Sequence, residues 1–324
     1  MEKKTQPLER PALYVVATPI GNLRDMGLRA IDTLAGADLI LAEDTRESRK
    51  LVDAYGIHTP LQALHEHNER VRAEALAGQI ATDLLAVALI SDAGTPLIQD
   101  PGYLLVQAAI QRGIPLYAVP GPCAAIAALS ISGLPCDRFV FEGFLPAKPD
   151  ARRSRIEVLA QETRTLVLYE SPHRIEDCMD DLRALLGPSR RVALARELTK
   201  RFESVARGTL GELAAQLRDG GLTVRGEFVV VVAGAEEGGS RDLAEAARIQ
   251  RILAAALPPG RAAAVAAEIT GVPRRALYRL GRGQDLDQGQ DPGQDPGQDP
   301  GMGGGAEQDA EEEIGTDDRE GDGG

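Results

Sequence analysis

Two junctions in the chain carry residue types that can hold a ligand. The apolar run Ala86–Ser91 opens into a loop with Asp92, Gly94, Thr95, Pro96, Asp100, Pro101 and Gly102, and the run Pro115–Val119 opens into Pro120-Gly121-Pro122. Each run is short and continuously apolar, as a parallel strand buried on both faces requires, and helical spacing follows each. Loops at the carboxyl ends of neighbouring parallel strands form the edge where open α/β sheets bind ligands. The alternative is a pair of ordinary Gly/Pro turns; the first loop, however, is longer and more polar than a connection needs. Dinucleotide binding through the glycine fingerprint, P-loop phosphoryl transfer and the usual hydrolase and zinc routes lack their parts, since there is no GxSxG, HExxH, CxxC or GxxxxGK[ST], and no GxGxxG after the first strand. What remains is backbone N–H and C=O groups on several loops, a means of holding something polar and compact.

The elements that must position these loops alternate. Leu13–Ala17 reads as a strand, TPIGNLRD as a loop with Pro19, Gly21 and Asn22, Met26–Leu34 as a helix, and Asp38–Glu43 as a second strand, with Asp44-Thr45 capping the next helix. After an irregular region containing His58, His65 and His67, a helix near Glu69–Ile80 leads into the two junctions. Five strands alternating with helices through about residue 132 predict an α/β fold, a right-handed doubly wound parallel sheet. Gly133-Leu134-Pro135 marks a hinge to a second α/β domain. Its predicted strands are Arg138–Phe144, Thr165–Tyr169, Arg191–Ala195, a short Ser204–Arg207 and Glu227–Ala233. Its predicted helices lie near Arg153–Gln161, Arg174–Leu186 and Leu210–Arg218. The last strand is apolar and β-branched, which suits a sheet centre. The boundaries that follow are 11–132, 136–236 and a small basic helical module at 241–283, whose helices are expected at Leu243–Ala256, Arg261–Thr270 and Arg274–Leu280.

The net charge of −13 over 324 residues is misleading, because from Gln284 onward fourteen Asp and Glu stand against one Arg. The rest of the chain is balanced, so the acidity does not argue against an anionic partner for the folded part. QDPG repeats and an acidic run at 284–324 cannot bury a core and are expected to be disordered. Three unevenly spaced cysteines and no His at ligand spacing point to a reduced, cytoplasmic protein without disulfides or a metal site. No stretch reaches the roughly 18 apolar residues of a membrane span.

TPIGNLRD, LAEDTR, SDAGTPLIQDPG, VPGPCAAIAAL, GLPCDRFVFEGFLPAK, LYESPHR, ARELTKRFESVARGTL and GEFVVVVAG, in that order over residues 11–283, resemble the ribosomal RNA small-subunit methyltransferase I family. That family lies within the tetrapyrrole-methylase type of S-adenosylmethionine enzymes. The resemblance implies two α/β domains with the methyl donor in the cleft between them, a homodimer, and 2′-O-methylation of a cytidine ribose in the decoding region of small-subunit rRNA, with neither DNA nor membrane as partner. The implied donor contacts from the first domain are Pro19, Asp92, Ala93, Gly94, Thr95 and Ile98, with Cys123 and Ala124 beside them. From the second they are Tyr169, Leu194, Ala195, Gly226 and Glu227. The alternative for the apolar members is strand-end packing, and for Asp92 a turn carboxylate.

Candidate RNA contacts are Asn22, Lys148, Arg152, Arg153, His173, Arg174 and Arg196, or else these are solvated surface groups. A ribose hydroxyl must lose its proton, so a base is expected near the strand end before ARELTK: Glu197, or Lys200 if Arg196 and the donor's charge depress its pKa. The alternative is an ion pair of Glu197 with Arg196, Lys200 or Arg201 that fixes the loop. Two other functions fit parts of the pattern. One is a small-molecule tetrapyrrole methyltransferase, which would want an aromatic-lined cleft although aromatics are only 3% of the chain. The other is a non-catalytic RNA-binding module built on the basic helices.

A chain ending at Gly283 should keep the melting temperature of the full chain and bind RNA at low salt as well or better, because an acidic tail competes for basic surface. A large drop in melting temperature on truncation would show that the tail packs.

Overall fold

The computed structural model describes residues 7–235, 241–272, 274 and 277. The acidic tail, and most of the helix expected at Arg274–Leu280, lie outside the described residues. Strands β1 (Ala12–Val16), β2 (Leu39–Ala42), β3 (Leu61–Ala63), β4 (Ala86–Ile90) and β5 (Leu116–Val119) form one parallel sheet in the order β3-β2-β4-β1-β5. The three residues of β3 sit in the stretch with no clear period, too short for a pattern to show. Alternation along β1 and β4 sends Tyr14, Val16, Ala88 and Ile90 to one face, against α1 (Leu28–Gly36) and α2 (Thr45–Ala54). Leu13, Val87 and Leu89 go to the other, against α3 (Glu66–Thr82) and α4 (Tyr103–Gln111). This is the doubly wound arrangement.

The second sheet is mixed. β6 (Phe139–Phe144), β7 (Thr165–Glu170), β8 (Arg191–Arg196), β9 (Ser204–Thr209) and β10 (Phe228–Val232) run in the order β6-β7-β10-β8-β9; β6 is parallel to β7 and the other pairs are antiparallel. The run FVVVV of β10 is buried at the centre, as its composition predicts. One face packs on α6 (Pro149–Leu159), α7 (Ile175–Leu186) and α8 (Leu210–Arg218). The opposite face is covered by α5 (Ala124–Ser132), a helix that belongs to the first half of the chain: Ala125, Ala128 and Leu129 share a cluster with Val167, Ala193, Ala195, Val229 and Val231. Gly133, expected at a hinge, ends α5 in the left-handed conformation.

Helix α6 begins earlier than its sequence suggests. The helix starts at Pro149, not Arg153, because proline fits the first helical position, where its missing N–H leaves nothing unbonded. Arg152 therefore falls on the inward stripe with Ile156 and Leu159. It is 4% exposed, and its Nε donates to Asp181 Oδ2 at 2.7 Å. An arginine so buried is not available to RNA.

A second compact unit begins at Asp242. It holds α9 (Arg241–Ala254) and α10 (Pro259–Thr270), with Ala246, Ala266, Val272 and Leu277 forming a small core. Among the described residues no helix is long and apolar enough to cross a membrane.

Arg152→Ala would leave Asp181 buried with only the more exposed Arg153 as partner. Urea unfolding should show a loss of about 3 kcal/mol, the scale for breaking a buried ion pair from one side.

Candidate active site

The loop after β4 is tied down at both ends. Thr18, just past β1, and Gly94 exchange backbone hydrogen bonds at 2.8 and 3.1 Å. The Thr95 hydroxyl donates to the Pro122 carbonyl at 3.0 Å, joining this loop to the one after β5. At its far end the buried Glu69 carboxylate accepts the N–H groups of Gly102, Leu104 and Leu105, which fixes the start of α4. Between these ties Leu97 and Gln99 adopt φ of +73° and +71°. Such left-handed backbone at non-glycine residues persists only where its surroundings over-determine it.

Two side chains cross between the halves and lie on glycine. Gln99 reaches Gly143, where β6 shifts register, and Lys200 lies along Gly21. A β-carbon at either glycine would overlap the visiting side chain, and both glycines have positive φ. Between the halves lies a cavity of about 290 Å³. Ile20, Ala93, Gly94, Thr95, Ile98, Gln99, Asp100, Cys123 and Ala124 line it from the first half. Phe144, Tyr169, Glu170, Ser171, Pro172, Glu227, Phe228 and Val229 line it from the second. Tyr169 sets one wall: its oxygen accepts the Ala125 N–H at 3.1 Å at the start of α5, and Phe141 and Phe144 pack edge-on against its ring. A larger polar cavity, about 650 Å³ and lined by Arg138, Arg164, Arg190 and Arg191, lies at the opposite end of the second sheet and includes none of the expected residues.

The structure thus gathers Ala93, Gly94, Thr95, Ile98, Cys123, Ala124, Tyr169 and Glu227 around one space. Pro19 is buried behind the wall, one residue before Ile20. Asp92 accepts the Asp44 N–H at 3.1 Å, tying the end of β4 to the end of β2. Leu194 and Ala195, neighbours on β8, point to opposite faces; Leu194 joins the outer core and Ala195 the packing under α5. Gly226 lies against the Glu197 carboxylate. Gln99, Asp100, Phe144 and Glu170 line the cavity without having been expected there. All four lie inside the motifs SDAGTPLIQDPG, FVFEGFLPAK and LYESPHR, but spacing alone gives no direction to a loop side chain.

Glu197 and Lys200 are spent on one another. Glu197 has φ +52°, and its carboxylate accepts from Lys200 Nζ at 2.9 Å and from the Glu227 N–H at 3.0 Å; Lys200 also donates to the Glu227 carboxylate at 3.0 Å. Burial pushes the Glu197 pKa up, but the Glu227 N–H and Lys200 outweigh it and hold the carboxyl below its ordinary value. Burial pulls Lys200 down, and the two carboxylates more than restore it, so its pKa is raised. In this arrangement the two side chains form the ion pair that fixes the loop.

Most expected RNA contacts are likewise engaged. Arg153 pairs with Asp181, Arg174 donates to the Leu145 carbonyl at 2.6 Å and pairs with Glu170, and Arg196 donates to the carbonyls of Arg225 and Phe202 at 2.8 Å each. Asn22 caps a short 3-10 turn by accepting the Arg24 N–H. Lys148, at the start of α6, and His173 are exposed.

Two carboxyl groups at the ends of the first sheet are shifted upward, and one of them, Asp100, lines the cavity. Burial, with a small push from Asp92 and a counter-pull from a Ser91 hydrogen bond, brings Asp100 to about 6. Burial, followed by repulsion from Asp100 and Asp92, brings Glu43 at the end of β2 to about 7. A cationic ligand beside Asp100 would relieve this repulsion. Among the described residues no group of three metal-ligating side chains forms.

The tetrapyrrole (corrin/porphyrin) methylase family model matches residues 12–214, and the model of the RsmI C-terminal helix-turn-helix domain matches residues 240–282. A protein of Xylella fastidiosa (strain Temecula1) is 53% identical over 269 residues, 82% of this chain and 97% of its own. Others from Pseudomonas aeruginosa (52% identity; 82% of this chain, 95% of that) and Escherichia coli O157:H7 (49%; 82% and 93%) are equally extensive matches. All three are named ribosomal RNA small subunit methyltransferase I. Among solved structures, a Thermus thermophilus uroporphyrin-III-C-methyltransferase matches 69% of this chain and 94% of that one at a TM-score of 0.50 and 22% identity. A diphthine synthase matches 68% and 90% at a TM-score of 0.52 and 15% identity. These two establish a shared fold.

Protonated Glu43 is favoured by the fold, so its contribution to stability is complete below its unfolded pKa and is lost as pH rises through about 7. Glu43→Gln should therefore melt about 3 °C above wild type at pH 8, with the gain vanishing near pH 4.5. A thermal-melt series across that range reads it directly.

Proposed function

Since the chain belongs to the ribosomal RNA small subunit methyltransferase I family, we propose that it methylates small-subunit ribosomal RNA, and that the acceptor is the ribose 2′-hydroxyl of a cytidine in the decoding region. The methyl donor is S-adenosylmethionine, which when bound supplies an electrophilic methyl group on a sulfonium centre. The observation that carries the reading is the cavity walled by both halves of the chain. Its backbone-rich loops suit the donor's polar ends, and Asp100 and Glu227 give a cationic ligand a negative surround.

The protein's part is chiefly alignment. The Thr95–Pro122 tie and the Ala125–Tyr169 bond hold the two loops and the second-half wall at a fixed separation, so the reacting groups meet without further ordering. Glu197, Lys200 and Glu227 hold the rim by their ion pairs. Exposed Lys148 and His173, together with the basic module from Arg241, offer phosphate contacts that position RNA without reading sequence. We further propose a homodimer. The sheet edge β5 exposes Leu116 and Tyr117, and α5 exposes Ile126 and Ile131, apolar groups that a second copy would cover. A cytoplasmic location is part of the same proposal, resting on the rRNA substrate.

Purified protein incubated with labelled donor and under-methylated small ribosomal subunits should transfer label to a single cytidine ribose. Thr95→Tyr should fill the cavity and abolish donor binding by calorimetry while leaving the melting temperature within a few degrees. Wild-type donor affinity in that variant would displace the donor from this cavity, and label on a base would refute ribose chemistry.

A further inference from the structure

The loop beyond β8 carries an aromatic ring into solvent. Phe202 is 62% exposed, and the Arg201 guanidinium lies 5.5 Å from its ring centroid. A lone exposed apolar side chain is ordinary. This one is carried by a loop braced from all sides. Arg196 donates to the Phe202 carbonyl at 2.8 Å, the Thr199 N–H donates to Glu203 at 2.6 Å, and Lys200 grips Glu197 and Glu227. Glu197 and Thr199 hold φ of +52° and +65°, a cost borne in keeping the loop in one shape. Rigid presentation of a ring means that little entropy is lost when something stacks on it.

The loop's position gives the ring a use. β6, β7 and β8 run in the same direction, so their ends share one edge of the sheet. The cavity residues Tyr169 and Glu170 lie at the end of β7; Phe144, 50% exposed, ends β6; Phe202 follows β8. Three strand spacings separate β6 from β8, and Phe202 lies in the loop that joins β8 to the edge strand β9. Phe202 is two residues from Lys200, whose ammonium touches Glu227 of the cavity wall. Arg201 and Arg225 are exposed cations in this region, beside the exposed acids Glu203 and Glu227.

We propose that Phe202 and Arg201 form a stacking platform for an unpaired nucleobase of the RNA substrate, beside the nucleotide whose ribose enters the cleft. The proposal rests on the ribosomal RNA reading and adds to it a recognition subsite. Single-stranded RNA is held by stacking splayed bases on aromatic rings and guanidinium planes, with cations nearby taking the phosphates. An exposed phenylalanine with the Arg201 guanidinium over its ring offers a stacking surface and a cation, and it discriminates little among bases because every base has a π face.

The test uses the full chain and a short single-stranded RNA carrying 5-iodouracil, which crosslinks to a ring stacked on it. Irradiation followed by mass spectrometry should place the crosslink on Phe202. Phe202→Ala should weaken oligonucleotide binding at least about fivefold, whereas Phe202→Trp should retain it. With under-methylated subunits the alanine variant should raise KM for the subunit while leaving donor affinity at its wild-type value. Wild-type RNA affinity and KM in Phe202→Ala, with crosslinks elsewhere, would overturn the platform. So would a shift of that variant from dimer to monomer in sedimentation, which would make Phe202 a contact between copies. If the wild-type protein methylates no ribosomal RNA, the functional reading fails separately, and the crosslink still decides whether the ring stacks on RNA.

Discussion

The packing of α5 on the inner face of the second sheet holds the cleft together. Ala125 and Ala128 face Val167, Val229 and Val231, and on β8 the residues beneath the helix are Ala193 and Ala195. Small side chains on both surfaces bring helix and sheet close, and burial of the valines stabilises the contact by about 1.5–3 kcal/mol each. Since α5 begins where the loop after β5 ends, this contact also fixes Cys123 and Ala124 against Tyr169. The cavity is therefore a consequence of core packing, and its walls inherit the rigidity of that core.

On top of this apolar contact sit two lighter ties. Gln99 reaches from the first half to Gly143, and Lys200 from the second to Gly21, one crossing in each direction. Each requires a glycine because a visiting side chain occupies the space where a β-carbon would stand. Together with the Thr95–Pro122 bond they set the width of the opening, and they explain why positive φ at non-glycine residues gathers in the segments 97–99 and 197–199.

Charge is distributed by the same logic. Arginines that the sequence offers to a polyanion mostly cap carbonyls or neutralise buried carboxylates, as Arg152 does for Asp181 and Arg196 for the carbonyls of Arg225 and Phe202. A guanidinium with five donors is well suited to such bracing, which leaves recognition to the few groups that face outward. The carboxylates at the end of the first sheet do the reverse: Glu43 and Asp100 are crowded and partly dried, a tension that a cationic ligand would relax.

The sequence by itself determined the alternation of strands and helices, the parallel character of the first sheet and the central place of the Val-rich last strand, because burial on two faces leaves a continuous apolar run that needs no partner to be read. It also determined which loops face the cleft, since strand ends carry them there. Tertiary structure alone decided which way each side chain points. β3 is too short to show a period. Arg152 turned inward because α6 begins four residues earlier than the charged stretch suggests. Leu194 and Ala195 parted because a strand sends neighbours to opposite faces, and which face is the cleft depends on where α5 lies. Glu197 and Lys200, equally readable as a base or as an ion pair, became an ion pair only when a loop folded back to bring Glu227 beside them, a contact between residues about thirty positions apart that no local pattern encodes.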